Sequence, residues 1–213
     1  MKQLYEQYRP TTWDEFLGQD KARAKIDALR KRGLAGRAYW VSGPSGTGKT
    51  TLAMLLAGEI ADPFFIEELD AGGLSASRLR DWENSSHLGS WGKGGRAYIV
   101  NEAHGLSKAA IRQLLVLLER IPGHVAWIFT TTTDGLALFE DAHEDASPLL
   151  SRCTEIRLTN QGLSKVFAER VKAVAELEGL DGQPIEKYIR LAQDCKNNCR
   201  AMFQRVEEGV MLG

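Results

Sequence analysis

Two rhythms of apolar and polar positions alternate along the chain. Short unbroken apolar runs at Ala38-Tyr39-Trp40-Val41, Ala97-Tyr98-Ile99-Val100 and Val125-Ala126-Trp127-Ile128-Phe129 are the signature of parallel strands covered on both faces. A further run, Phe64 to Asp70, predicts a strand that stops at Ala71-Gly72-Gly73. Between these lie stretches of helical spacing: 21–32 with Ala22, Ile26 and Leu29 inward, 51–57, 74–83, and 107–120 with Ile111, Leu114, Leu115, Leu117 and Leu118 inward before Pro122-Gly123 ends it. Strands alternating with helices predict an α/β domain, a parallel sheet with helices on both faces. From Gln161 onward only helical periodicity remains, in blocks at about 162–178, 184–194 and 198–209. The chain therefore divides into a sheet domain, residues 1–158, and a small helical domain, residues 159–213.

Three segments fall outside that rhythm. Residues 1–20 are interrupted by Pro10 and Gly18 and read as a structured arm that packs Trp13 and Phe16 on the core. The glycine-rich stretch 85–95 reads as a mobile connector, with Trp91 expected to lay its ring on a neighbouring surface and stacking on a base as the alternative. Residues 134–148 are acidic and read as loop.

Ligands bind such sheets at the carboxyl ends of the strands, so the polar residues that follow each strand are candidates for one site. After the first strand comes Gly43-Pro44-Ser45-Gly46-Thr47-Gly48-Lys49-Thr50-Thr51, which fits G-x-x-x-x-G-K-[ST]. In that pattern the glycines let successive amides turn toward a phosphate chain, Lys49 adds a cation near the outer phosphates, and the Thr50 hydroxyl binds Mg²⁺. Asn101-Glu102 ends another strand some fifty residues later, where an acidic pair is expected to arrange Mg²⁺ and an attacking water. Glu102 is placed as general base. Asn101 stands where a metal-site Asp is usual, and its amide oxygen can accept from a metal-bound water but carries no charge. Mg²⁺ binding and hydrolysis are expected to be weakened, and Asn101→Asp is expected to raise turnover.

Composition narrows the partners. A net charge of −1 over 213 residues, with 43% hydrophobic and 26% charged residues, is ordinary globular usage and excludes a wholesale basic protein. Contact with DNA would need a local patch, for which Arg78, Arg80, Lys93, Arg96, Lys108 and Arg112 are candidates and a plain solvated face the alternative. Three cysteines, Cys153, Cys195 and Cys199, fit a reducing compartment better than a disulfide framework. Without an apolar leader or an apolar stretch of membrane-spanning length, a cytoplasmic protein with no membrane partner is expected.

Taken in order, Tyr8-Arg9-Pro10, Phe16-Leu17-Gly18-Gln19-Asp20, the glycine-lysine loop, Asn101-Glu102-Ala103-His104-Gly105-Leu106-Ser107, Leu114-Leu115 through Leu118-Glu119, Thr131-Thr132 and Leu150-Ser151-Arg152-Cys153 resemble clamp-loader AAA+ ATPases. The resemblance is to the bacterial gamma/tau-type and replication factor C small subunits, and it covers nearly the whole chain. It implies a P-loop AAA+ sheet followed by a helical lid, with ATP and Mg²⁺ as cofactors. It further implies a subunit that helps load a sliding clamp onto primed or double-stranded DNA in a ring with other AAA+ subunits.

Residue by residue, the resemblance places Tyr8, Arg9, Pro10 and Gln19 at the adenine pocket and Thr132 as the polar residue that orients water or the γ-phosphate. It makes Arg152, in a triplet set after a strand, a finger inserted into the neighbouring subunit's site, and Arg200 a lid cation that reaches the γ-phosphate. The departures are Asn101, Asn197-Asn198 in place of a Gly-led pair, the lack of a zinc-binding insert, and the lack of the collar domain that follows the lid in family members. They leave two alternatives open: a structural subunit that binds nucleotide with little or no hydrolysis, and a ring motor on branched DNA.

Overall fold

The computed structural model describes residues 2–213. Five parallel strands, β1 (Arg37–Ser42), β2 (Ile66–Asp70), β3 (Arg96–Asn101), β4 (Val125–Thr131) and β5 (Cys153–Arg157), form one sheet in the order β2-β3-β4-β1-β5. Placing β4 between β3 and β1 brings the ends of these three strands side by side, with Ser42 in register with Thr131 and Val100 with Phe129.

Alternate residues of the strands feed two cores, as the pleat requires. On one face Tyr39 and Val41 meet Ile26 of α2 (Asp20–Arg30) and Leu52 and Leu56 of α3 (Lys49–Ile60). On the other, Trp40 and Trp127 meet Leu79 and Trp82 of α4 (Ala76–Ser86), Ile111 and Leu114 of α5 (Lys108–Leu118), and Phe139 and Leu149 of α6 (Thr133–Ala142) and α7 (Ala146–Ser151). The acidic segment 134–148 is thus helical, not loop. Phe139 and Leu149 supply a buried stripe while the Asp and Glu side chains stay in water. Ser151-Arg152-Cys153 accordingly follows a helix and leads into β5 rather than following a strand.

A third core joins α8 (Ser164–Leu177), α9 (Ile185–Asp194) and α10 (Cys199–Glu207) through Phe167, Val171, Tyr188, Met202 and Phe203. Leu4 of the single turn α1 (Leu4–Gln7) is buried in that same core, and Tyr5 and Tyr8 pack against it. The first turn of the arm therefore belongs by packing to the helical part, although it lies within 1–158. Phe16 enters the sheet core and Trp13 packs beside it. The arm bridges the two bodies.

Two expectations fail at the opposite edge. Phe64 and Phe65 lie in a 3-10 turn opened by Pro63, which donates no N–H and delays β2 to Ile66. Trp91 is 85% exposed. No helix among the described residues is long and apolar enough to cross a membrane.

Candidate functional site

The cleft lies where the loop after β1 faces the helical part. Its wall includes Ser45, Gly46, Thr47, Gly48, Lys49, Thr50 and Thr51, then Glu102 and Thr132 from the neighbouring strand ends, Tyr8, Arg9 and Pro10 from the arm, and Arg200 from α10. Gly46 and Gly48 hold φ of 72° and 98°, a region open to glycine at no steric cost. A Cβ on Gly48 would come 2.7 Å from the Phe16 ring, and one on Gly46 would overlap the Asn198 amide. The loop is therefore pressed on one side by the arm and on the other by the start of α10.

Gly43 and Pro44 lie behind the wall, where their carbonyls accept from Lys49 Nζ at 3.0 and 2.9 Å. Gln19 is a correction. It is buried and does not line the cleft; its amide donates to Thr159 O at 2.8 Å and reaches Thr47 O at 3.4 Å, while its Oε1 accepts from Thr159 N at 3.1 Å. It ties the loop to the end of β5 instead of meeting a ligand.

The charges in the cleft suit a phosphate chain. Burial pushes the Lys49 ammonium below its ordinary range; Glu102 opposes the shift and the nearby Arg200 charge adds to it. Among the described residues no carboxylate lies within ion-pairing distance of Lys49 or Arg200. Two cations held in one cleft, neither in an ion pair, beside a loop with no room for a Cβ at Gly46 or Gly48, are what an incoming polyphosphate would complete. Arg200 rests meanwhile over the Tyr5 ring, 5.1 Å from its centroid.

The metal side is assembled across strands. Asn101 Oδ1 accepts from Thr130 Oγ1 at 2.8 Å and lies 3.5 Å from Thr50 Oγ1, while Asn101 Nδ2 donates to Glu68 Oε1 at 2.5 Å. Among the described residues no cluster of three His, Cys, Asp or Glu side chains forms a dedicated cage. Mg²⁺ keeps several waters and is bound through substrate phosphates, so one hydroxyl and one amide fit it where a cage is unnecessary. Sequence reasoning missed Glu68 and Thr130. A pair of carboxylates, Glu67-Glu68, inside an apolar strand was the available sign.

Glu102 has φ 49°, an uncommon conformation for a residue with a Cβ. Its carboxylate lies 3.5 Å from His104 Nδ1, which is 3.1 Å from Thr131 Oγ1. Thr132 caps α6, accepting from Gly135 N at 3.0 Å. At the start of α10, Lys196 and Asn197 hold positive φ, the reason a glycine would serve there and asparagine is tolerated. Asn198 caps the helix from Ala201 N at 3.1 Å, and Cys199 N donates to Gly46 O at 3.3 Å. The helical part is thus hydrogen-bonded to the loop itself.

Arg152 lies apart from the cleft and is engaged within its own chain. It donates to Glu119 at 2.5 Å and to Pro148 O at 2.8 Å, with the side chain 31% exposed. The guanidinium is not presented free. The suggested basic track is similarly committed: Arg78 pairs with Glu67, Arg112 with Asp145, Arg96 sits over Phe65, and Lys93 caps Gly58 O. Only Arg78 and Arg112 of the six form ion pairs among the described residues, and Arg80 and Lys108 have neither an ion pair nor a side-chain hydrogen bond there.

Comparison with known proteins agrees with this geometry. The model of the ATPase family associated with various cellular activities (AAA) matches residues 39–158. The chain is 33% identical over 157 residues to DNA polymerase III subunit gamma/tau of Mycobacterium tuberculosis (strain ATCC 25618 / H37Rv), covering 61% of this chain and 27% of that protein. It is 27% identical over 185 residues to replication factor C small subunit 1 of Pyrobaculum aerophilum, covering 83% and 53%. The chain therefore spans from about a quarter to about half of these relatives' lengths. Among solved structures, the Thermotoga maritima RuvB Holliday junction branch migration motor superposes with a TM-score of 0.73 at 24% identity, over 94% of this chain and 64% of that one. That likeness is one of fold. With the family's segment running from β1 through the end of β5, the chain belongs to the AAA family of ATPases.

Proposed function

We propose that this chain binds ATP with Mg²⁺ in the cleft between sheet and helices and works as a subunit of a clamp-loader-like complex, placing a sliding clamp on primed DNA in the cytoplasm. The observation that carries the nucleotide reading is the half-buried Lys49 inside its glycine loop, without a carboxylate in ion-pairing distance and faced by Arg200 from the helical part. The clamp-loader reading rests on the resemblance described above, which the relatives named DNA polymerase III subunit gamma/tau and replication factor C small subunit 1 support.

In this reading the amides of 45–49 and Lys49 hold the phosphates, Thr50 and Asn101 hold Mg²⁺, and Tyr8, Arg9 and Pro10 take the base. Mg²⁺ supplies neutralisation of the phosphate charge. Glu102 receives the proton of the attacking water, its carboxylate oriented by His104, and Thr132 orients the water or terminal phosphate. Arg200 couples the terminal phosphate to the position of α10. Arg152 serves a neighbouring subunit and must first leave Glu119. Residues 1–158 act as the nucleotide domain and 159–213 as the lid.

The uncharged Asn101 favours a second reading, a subunit that binds nucleotide and hydrolyses it slowly or not at all. Turnover measured with clamp and primed DNA present decides between the two. A rate that clamp and DNA stimulate supports the loader, and firm ATP binding without turnover supports the structural subunit. Stimulation by four-way junctions with no clamp capture would overturn both.

A further inference from the structure

Asn101 is hydrogen-bonded to groups from two other strands, and only one of those groups dictates which way the amide points. Thr130 carries a hydroxyl that can donate or accept, so it would tolerate either end of the amide. Glu68 cannot. An ionised carboxylate only accepts, so the amide nitrogen must face it, and the 2.5 Å contact from Nδ2 to Glu68 Oε1 is of that kind. The oxygen is thereby directed at Thr130 and Thr50, where an outer-sphere acceptor for a metal-bound water is wanted. Glu68 has no other use in the fold: it is exposed on β2, forms no ion pair among the described residues, and its neighbour Glu67 is the one that holds Arg78 and Trp82.

Resting on the nucleotide reading above, we propose that Glu68 is the positioning residue of the Mg²⁺ site, fixing the Asn101 amide and carrying, one side chain further out, the negative charge that Asn101 lacks. The pair works as a unit. An aspartate at 101 would set two acceptors against each other where a short hydrogen bond now stands, with Asp70 also in register opposite position 101 on β2. This reverses the expectation that Asn101→Asp alone improves the site. The asparagine is what permits a carboxylate at 68.

The test uses wild type, Glu68→Ala, Glu68→Gln, Asn101→Asp and the Asn101→Asp/Glu68→Gln double variant. Binding of a fluorescent ATP analogue is titrated against Mg²⁺ and repeated in EDTA, and thermal midpoints are read without nucleotide. Glu68→Ala should raise the half-saturating Mg²⁺ concentration about tenfold, as loss of an outer-shell partner does, with EDTA binding unchanged. Glu68→Gln keeps an acceptor for Nδ2 but not the charge, and should fall between the two. Asn101→Asp alone should lower the thermal midpoint without lowering the Mg²⁺ requirement. In the double variant, where Gln can donate to Asp, the midpoint should recover and the Mg²⁺ requirement drop below wild type. An Asn101→Asp effect of the same sign and size whether or not Glu68 is present overturns the proposal, as does a Glu68→Ala protein with wild-type Mg²⁺ demand. A wild type that ignores the analogue in both Mg²⁺ and EDTA fails the nucleotide reading itself, an outcome distinct from these.

Discussion

Lys49 and Asn101 serve the same cleft but are put there in different ways. Lys49 belongs to nine consecutive residues whose glycine φ values and helix start dictate its place almost alone. Asn101 gains its surroundings from β2 on one side and β4 on the other, plus Thr50 across the sheet end. A wall made by one segment keeps its standard chemistry. A wall assembled from several strands depends on pairs of side chains, and here the pair is Asn101 with Glu68.

The comparison can be broken most severely at the loop. Lys49→Met removes the charge-assisted hydrogen bonds to phosphate and should cost about 3 kcal/mol, roughly a hundredfold in ATP-analogue affinity, with or without Mg²⁺. A loss confined to Mg²⁺ conditions would mean that the two walls are not separate in function. Gly46→Ala comes next: it imposes strain at φ 72° and drives a methyl into Asn198. It should lower stability by about 2 kcal/mol, or 4–8 °C in thermal midpoint, and weaken nucleotide binding by displacing α10. Asn198→Ala tests the same seam from the other side, removing a helix cap worth ~1 kcal/mol by thermal melt.

The smallest effect is expected at Glu119. The Arg152 hydrogen bond holds the Glu119 carboxyl below its usual range. A depressed folded-state value means that the contact contributes at neutral pH and is lost as the pH falls through it. Glu119→Ala should leave ATP affinity unchanged and modestly raise turnover in the assembly by freeing Arg152, read in a steady-state ATPase assay. Reduced turnover would show that the contact aligns the arginine rather than restraining it.

How much of this the sequence disclosed follows the same division. The loop, the sheet-and-helix alternation and the three C-terminal helices were legible because each is set by neighbours a few residues apart. The helices at 133–142 and 146–151 were hidden by their acidic surface, since Phe139 and Leu149 are sparse signals among many charges. Gln19 has the composition of a ligand contact and is used as a brace. Trp91 was expected to pack, and nothing local says otherwise. Glu68 could not be assigned without the β2–β3 register that sets it diagonally beside Asn101. Arg152 likewise needed the fold to reveal its Glu119 partner, thirty-three residues away in sequence.

Hydrogen exchange with and without ATP and Mg²⁺ tests the central claim, that the sheet body and the helical body form one nucleotide site. Protection should rise together in residues 43–51, in the arm at 5–10 and at the start of α10. Protection limited to the loop, or none at all, would contradict it.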